Sequence, residues 1–261
     1  MYNNLKEFID KYTSFKEKYE KSETFERTAL CDIMEKNMSD KSYPKDLREN
    51  ESYHIKKKRK KSSQVVGFHN YTLFYHEFFH HMRSKQLNIF ELGLGSNNPS
   101  IVGWMGKNAR PGASIYGWSE YFKNSMIYGG DIDEKSLFDD VENNISTYKM
   151  DQKSKSDVTN VFKKIGKEFD IIIDDGRHWP DYNLAFFKNS YKYLKKGGLF
   201  IIEDLYLSDH SRGNFMKMHH DNLSYAKTKS RYADILRMKS KYGPKDEKDR
   251  DTSNNLMVIL K

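Results

Sequence analysis

The sequence predicts an α/β fold, a Rossmann-like, doubly wound and mostly parallel sheet preceded by an N-terminal helical extension. Three observations predict it. Short β-type runs recur at residues 88–95, 126–131, 169–174, 199–203 and 256–260, nearly unbroken in apolar residues as strands covered on both faces are. Helix-length stretches at 134–143, 158–167 and 181–194 separate the middle runs, the alternation that gives parallel strands joined by crossovers. The first run ends in Gly93-Leu94-Gly95, a tight turn that lets a ligand approach the backbone closely.

Taken in order, Leu5, Phe8, Ile9, Tyr12, Phe15 and Tyr19 recur at spacings of three and four and predict an amphipathic helix, with a second around 25–34. Residues 38–64 are polar, contain Pro44 and end in a basic run at 57–61, so they read as a linker that closes an N-terminal region of residues 1–64. The chain from 65 to 261 reads as the α/β domain. Residues 67–85 predict a helix whose apolar face carries Tyr71, Phe74, Tyr75, Phe78 and Phe79. Its histidines, His69, His76, His80 and His81, lack a following acidic ligand at zinc spacing, so an interfacial helix is preferred to a metal site. After the glycine turn, residues 96–105 read as a turn and the start of a helix.

The composition excludes several classes. A chain of 261 residues buries a core without covalent staples, and a single cysteine, Cys31, excludes an internal disulfide scaffold. No run of about 18 apolar residues occurs and the first dozen residues are charged throughout, so the expectation is a cytoplasmic protein with no membrane span. The net charge of +8 favours anionic partners without choosing among them. The basic run at 57–61 lacks interleaved aromatics, so nucleic-acid binding is not expected. The glycine turn lacks the third glycine of a dinucleotide fingerprint, Asn98 standing there, and Asp131 lies well past the roughly 20-residue spacing of that motif.

The segments FELGLGSNNPS, PGASIYGWSEYFKNSMIYGGDID, FDIIIDDGRHWPD and LKKGGLFIIEDL resemble class I S-adenosylmethionine-dependent methyltransferases, in particular the metal-dependent sugar O-methyltransferases of the macrocin and mycinamicin type. The resemblance covers roughly residues 65–210. It implies S-adenosylmethionine over Gly93 and Gly95, Glu91 and Ser96 beside the methionine end, Asp131 on the ribose hydroxyls and Asp151 with Gln152 at the adenine edge. A carboxylate with two acceptor oxygens suits a vicinal diol, whereas Asp151 reads equally as an exposed loop acid. By the same analogy Tyr71 closes over the cofactor, although a core aromatic is the simpler reading.

Asp175, Glu203 and Asp204 stand at the ends of two predicted strands. Converging like charges need a cation, and all-oxygen ligands point to a hard one such as Mg²⁺, an assignment the resemblance also implies. Strand neighbours point to opposite faces, so Glu203 and Asp204 share a metal only where the strand has ended. His178, three residues past Asp175, is the expected general base, since an imidazole is largely neutral near pH 7 and takes a proton from a polarised hydroxyl. Asp174 reads either as a ligand of local backbone N–H groups or as a contact to the sulfonium or a metal water. Arg177 stands where similar proteins often carry serine.

The expected function is S-adenosylmethionine- and Mg²⁺-dependent O-methylation of a sugar hydroxyl, on a small carbohydrate that is nucleotide-linked or otherwise activated, for capsule or surface polysaccharide or for a glycosylated metabolite. The alternatives are an amine or phenol methyltransferase of the same fold and, more remotely, a metal-dependent phosphoester hydrolase. Residues 211–250 are candidates for an acceptor pocket or an ordinary lid, and the amphipathic N-terminal helices are candidates for packing against a second copy of the chain.

Overall fold

A computed structural model describes residues 1–21, 26–42, 45, 69–101, 105–107, 109–207, 213–238 and 254–261. The basic run at 57–61, most of the predicted linker and most of 239–253 lie outside the described residues. Seven strands form one sheet: β1 Asn88–Leu92, β2 Met126–Asp131, β3 Ile145–Lys149, β4 Phe169–Asp174, β5 Leu194–Ile202, β6 Tyr232–Arg237 and β7 Asn255–Leu260. Their order is β3-β2-β1-β4-β5-β7-β6. The first five are mutually parallel, and β7 is antiparallel to both β5 and β6. This is the Rossmann-like architecture of class I methyltransferases.

Strand periodicity divides the core. Ile171 and Ile173 of β4 join the hydrophobic cluster on one face, and Ile172 joins the cluster on the other. The first face is covered by α1 Leu5–Lys21, α2 Ala29–Lys36, α3 Tyr71–Phe79 and α4 Ala113–Tyr121, which contribute Phe8, Met34, Phe74 and Trp118 to that cluster. The second is covered by α5 Lys155–Ile165, α6 Pro180–Ser190 and α7 Phe215–Lys227, which contribute Phe162, Phe186 and Leu223. Local chemistry sets the helix ends. Thr28 caps α2, and Ser154 accepts the Asp157 N–H at 3.2 Å to cap α5, which stops at Gly166 in the left-handed region. Pro180 opens α6, where its missing N–H costs nothing.

The N-terminal region is built into the same core. Phe8, Tyr12 and Tyr19 of α1 are buried there, the Tyr2 N–H donates to the Gly197 carbonyl at 3.0 Å, and Lys16 pairs with Asp234 of β6 at 2.8 Å. The buried apolar positions of α1 thus pack within the chain.

Of the segment 101–105 expected to start a helix, residues 102–104 lie outside the described residues, and the next described helix begins at Ala113, after Gly112 with φ 74°. Two element predictions are corrected. The stretch 134–143 forms only one 3₁₀ turn, Glu134–Ser136. There Asp133 caps the turn, and the Phe138 N–H and carbonyl are both bonded to the Thr147 hydroxyl, at 2.6 and 2.5 Å, so side-chain bonds replace a helix ladder. Strand β6 lies in a stretch whose mixed pattern, Tyr232 to Arg237, gave no strand signal. Among the described residues no helix is long and apolar enough to cross a membrane.

If α1 belongs to this core, Phe8→Ala should lower unfolding free energy by about 3–5 kcal/mol. Chemical denaturation should show one cooperative transition shifted to lower denaturant, and separate loss of an N-terminal unit would contradict the packing.

Candidate active site

The parallel strands open a crevice at their carboxyl ends. Gly93 follows β1 with φ +99°, and a Cβ there would stand 2.0 Å from the Asp175 carbonyl oxygen. Its N–H donates to the Gly130 carbonyl at 2.8 Å, and the Asp175 N–H donates to the Leu92 carbonyl at 2.9 Å, so the turns after β1, β2 and β4 are drawn into contact. Only glycine fits that approach. The crevice encloses a cavity of about 380 Å³, within the ~300–1,000 Å³ usual for small-molecule sites. Gly93, Gly95, Ser96, Asp131, Asp151, Gln152, Asp175, His178 and Asp204 all line it.

The structure distributes the predicted cofactor residues unevenly. Both Asp131 oxygens receive backbone N–H groups, from Leu94 at 2.7 Å and Asp133 at 2.9 Å, which hold the carboxylate at the cavity wall with lone pairs left over. Burial nonetheless pushes its carboxyl up. The Ser96 hydroxyl donates to Asp133 and accepts the Asn98 N–H at 2.9 Å, fixing the turn. Gln152 is a brace: its amide donates to Asp174 at 2.7 Å and accepts the Arg177 N–H at 2.9 Å. Asp151 accepts the Lys153 N–H at 2.9 Å beside the cavity.

Glu91 and Tyr71 do not line the cavity. Strand alternation turns Glu91 toward α4, where it is fully buried and accepts from the Ser114 hydroxyl and the Trp118 indole N–H. The Tyr71 hydroxyl donates to Asp204 Oδ1 at 2.7 Å and accepts the Asp204 N–H at 3.2 Å, so it anchors an acid rather than covering a cofactor.

At the ends of β4 and β5 the acids separate into two groups. Asp175, His178 and Asp204 present ligand atoms within 4.8 Å of one another. Two of these are held in strained backbone, His178 at φ 60° and Asp204 at φ 56°, values few non-glycine residues adopt and which cluster at functional positions. His178 Nε2 lies 3.5 Å from Asp204 Oδ2, and His69 Nε2 lies 3.5 Å from Oδ1. Burial opposes ionisation of Asp204, but His69, His178, the Tyr71 hydroxyl and Lys41 outweigh it and hold the carboxyl below its usual range.

Glu203, expected as a metal ligand with these two acids, faces elsewhere. Only 1% exposed, it accepts from the Tyr75 hydroxyl and from Lys41 Nζ at 2.5 Å. The same ammonium, also 1% exposed, reaches Asp175 Oδ2 at 2.7 Å and lies 3.7 Å from Glu91. The chain turns after Ile202, yet Glu203 and Asp204 still diverge. Burial raises the Glu203 carboxyl despite Lys41, with Asp175 and Glu91 adding to the rise.

Among the described residues, Asp40, another wall residue, brings the acids here to five, with Glu91, Asp175, Glu203 and Asp204, against one lysine, Lys41. That excess of negative charge and the paired carboxylates Asp175 and Asp204 fit a hard divalent cation. The cavity, the two glycines and Asp131 fit a nucleoside-bearing cofactor. Lys41 and Asp40 carried no sequence signal, and His69 was read only with the histidines of an interfacial helix. Lys41 is one of many lysines, and only tertiary structure shows it is buried.

No family model matches the chain. Three curated relatives are each 31% identical to it. The tetracenomycin 2'-O-methyltransferase of Streptomyces olivaceus, which acts on the 8-demethyl-8-alpha-L-rhamnosyl compound, aligns over 146 residues, 56% of this chain and 36% of its own. Demethylmacrocin O-methyltransferase of Streptomyces fradiae aligns over 140 residues and mycinamicin VI 2''-O-methyltransferase of Micromonospora griseorubida over 141, each 54% of this chain and 33% of the relative. The matched stretch thus spans about a third of those proteins' lengths. Among solved structures, the MycE methyltransferase of the mycinamycin pathway in complex with Mg, SAH and mycinamycin VI superposes with a TM-score of 0.58 at 18% identity, over 90% of this chain and 55% of that one. A Bacillus cereus O-methyltransferase in complex with SAH gives 0.50 at 14% identity, over 90% of this chain and 98% of that one. These likenesses agree with the fold described above.

Two outcomes are expected. Gly93→Ala, with no room for its methyl beside Asp175, should cost at least about 2 kcal/mol in chemical denaturation; a neutral effect would mean that the two turns separate freely. Burial pushes the Asp174 carboxyl up to about 6 against hydrogen bonds from Asn183, Gly176 and Gln152. The folded state therefore holds a proton that an unfolded aspartate, pKa about 3.9, has shed, and the stability due to Asp174 falls as pH rises between those values. The wild-type advantage over Asp174→Asn should shrink by on the order of 2–3 kcal/mol from pH 4 to pH 7, and a constant difference would contradict the shift.

Proposed function

We propose that this chain is an S-adenosylmethionine- and Mg²⁺-dependent O-methyltransferase acting on a hydroxyl of a sugar in a small glycosylated or activated carbohydrate. The observation that carries the reading is that one crevice is lined both by the glycine turn with Asp131 and by Asp175, His178 and Asp204. The names of the curated relatives, which methylate sugars of glycosylated natural products, and the Mg and SAH bound to MycE support it.

In this reading Gly93 and Gly95 let the cofactor lie against the backbone, and Asp131 accepts from its ribose hydroxyls. Asp175 and Asp204 hold the cation, which when bound lowers the pKa of an acceptor hydroxyl and fixes its direction. His178 Nε2, beside Asp204, takes the hydroxyl proton. S-adenosylmethionine, when bound, would supply the methyl group to that oxygen and depart as a neutral thioether, the glycine turn and Asp131 holding it beside His178. Asp204 stabilises the imidazolium that forms. Asp174, locked by Gln152, Asn183 and Gly176, sets the turn that carries Asp175 and His178.

The acceptor side supports an anionic or aromatic-binding group. Arg177 lines the cavity and its guanidinium lies 4.0 Å from the Trp179 ring and 5.0 Å from Tyr182. With the net charge of +8 this suits a nucleotide-linked sugar, such as a capsule or surface-polysaccharide precursor, handled in a reducing cytoplasm where buried Cys31 stays free.

His178→Ala should leave S-adenosylmethionine binding by calorimetry nearly unchanged while turnover falls by about two to four powers of ten. Undiminished turnover would remove His178 as the base. Nucleotide sugars and glycosylated aglycones, incubated with labelled cofactor and read by mass spectrometry, should yield methylated product that chelation abolishes and Mg²⁺ restores. Methylation that survives chelation would favour an amine acceptor.

A further inference from the structure

Lys41 belongs to no motif, yet it is one of the most buried charges in the chain, and its ammonium sits between two acids that the sequence had assigned to a metal. The segment carrying it is fixed to the start of α3: the His69 N–H donates to the Asp40 carbonyl at 2.7 Å and the Thr72 N–H to the Lys41 carbonyl at 3.3 Å. Ser39 and Asp40, just before it, line the cavity. The side chain spans from that wall to Asp175 Oδ2 at 2.7 Å and Glu203 Oε2 at 2.5 Å. A lysine buried to this degree is held only by paired charge.

We infer that the Lys41 ammonium and a divalent cation compete for the Asp175 and Glu203 carboxylates, making Lys41 the residue that sets metal affinity at this site. The inference rests on the metal-dependent reading above. Magnesium approaches its oxygen ligands to about 2.0–2.1 Å. An ammonium on Asp175 Oδ2 and Glu203 Oε2 draws on the same lone-pair charge and repels a second cation brought beside it, so binding the ion there is opposed while the ammonium stays. While Lys41 remains, Asp204 and the Asp175 oxygen that Lys41 does not engage, Oδ1, are left for the ion. When Glu203 joins them the ammonium withdraws, its backbone held by the bonds to α3. Lys41 thus holds the Asp175 and Glu203 oxygens in place and gives them up in exchange. It is a positioning residue, acting through the two acids.

Calorimetric titration of the full chain with Mn²⁺ tests the exchange. Lys41→Met should bind at least about tenfold more tightly than wild type, and Lys41→Arg, which keeps the charge, should bind within about threefold of it. Unchanged or weaker binding by Lys41→Met, with wild type still binding, would overturn the inference and leave the metal-dependent reading intact; no binding by any variant would overturn both. A second readout needs no substitution. Lys41 acetylation by acetic anhydride, followed by peptide mapping, should rise severalfold when saturating Mg²⁺ is added to wild type, and labelling that stays constant or falls would also overturn the inference.

Discussion

The structure turns on one electrostatic constraint, the convergence of acids at the carboxyl ends of β1, β4 and β5. Parallel strands deliver their ends to one edge of the sheet, and Glu91, Asp175, Glu203 and Asp204 arrive there with Asp40 from the N-terminal segment. Carboxylates in a low-dielectric interior repel strongly unless compensated. Compensation comes in layers: the Lys41 ammonium inside, the Tyr71 and Tyr75 hydroxyls and the Ser114 and Trp118 donors around it, and the imidazoles of His69 and His178 toward the cavity. What these donors leave uncompensated is the charge to which a divalent cation would bind.

That constraint explains why the N-terminal helices are bound into the sheet domain. Removing α1 and α2 would expose the aromatic face of α3, and with it the helix that supplies Tyr71 and Tyr75 to the acids. The Lys41 segment would lose its support as well. The N-terminal region is thus a wall of the crevice, although its polar sequence beyond residue 38 resembled a linker.

The central strands β1, β2, β4 and β5 were legible as nearly unbroken apolar runs that end at glycines or acids, whereas the edge strand β3, half-buried and polar in Ser146, Thr147 and Lys149, was not among the runs named. Nor was β6, because it is a half-exposed edge strand whose Asp234 and Arg237 interrupt the apolar pattern. The stretch 134–143 misled because its residue types allow a helix, while Asp133 and Thr147 bind the backbone another way. In the site, strand-end logic located Asp131, Asp175, His178 and Asp204 at the cavity wall, and strand alternation explains why Glu91 lies behind it. The partner of Glu203 was illegible. A lysine distant in sequence looks like any solvated lysine until the fold places it between two acids, and Tyr71, read most simply as a core aromatic, is buried in the core with its hydroxyl on Asp204.

The central claim is that a divalent cation binds at the ends of β4 and β5 next to the glycine crevice. Crystals grown with Mn²⁺ and S-adenosylhomocysteine, measured at the manganese absorption edge, test it directly. The account predicts an anomalous peak in contact with Asp175 and Asp204, with the nucleoside along Gly93 and Asp131. A peak elsewhere, or nucleoside density in the crevice with no anomalous signal beside those acids, would contradict it.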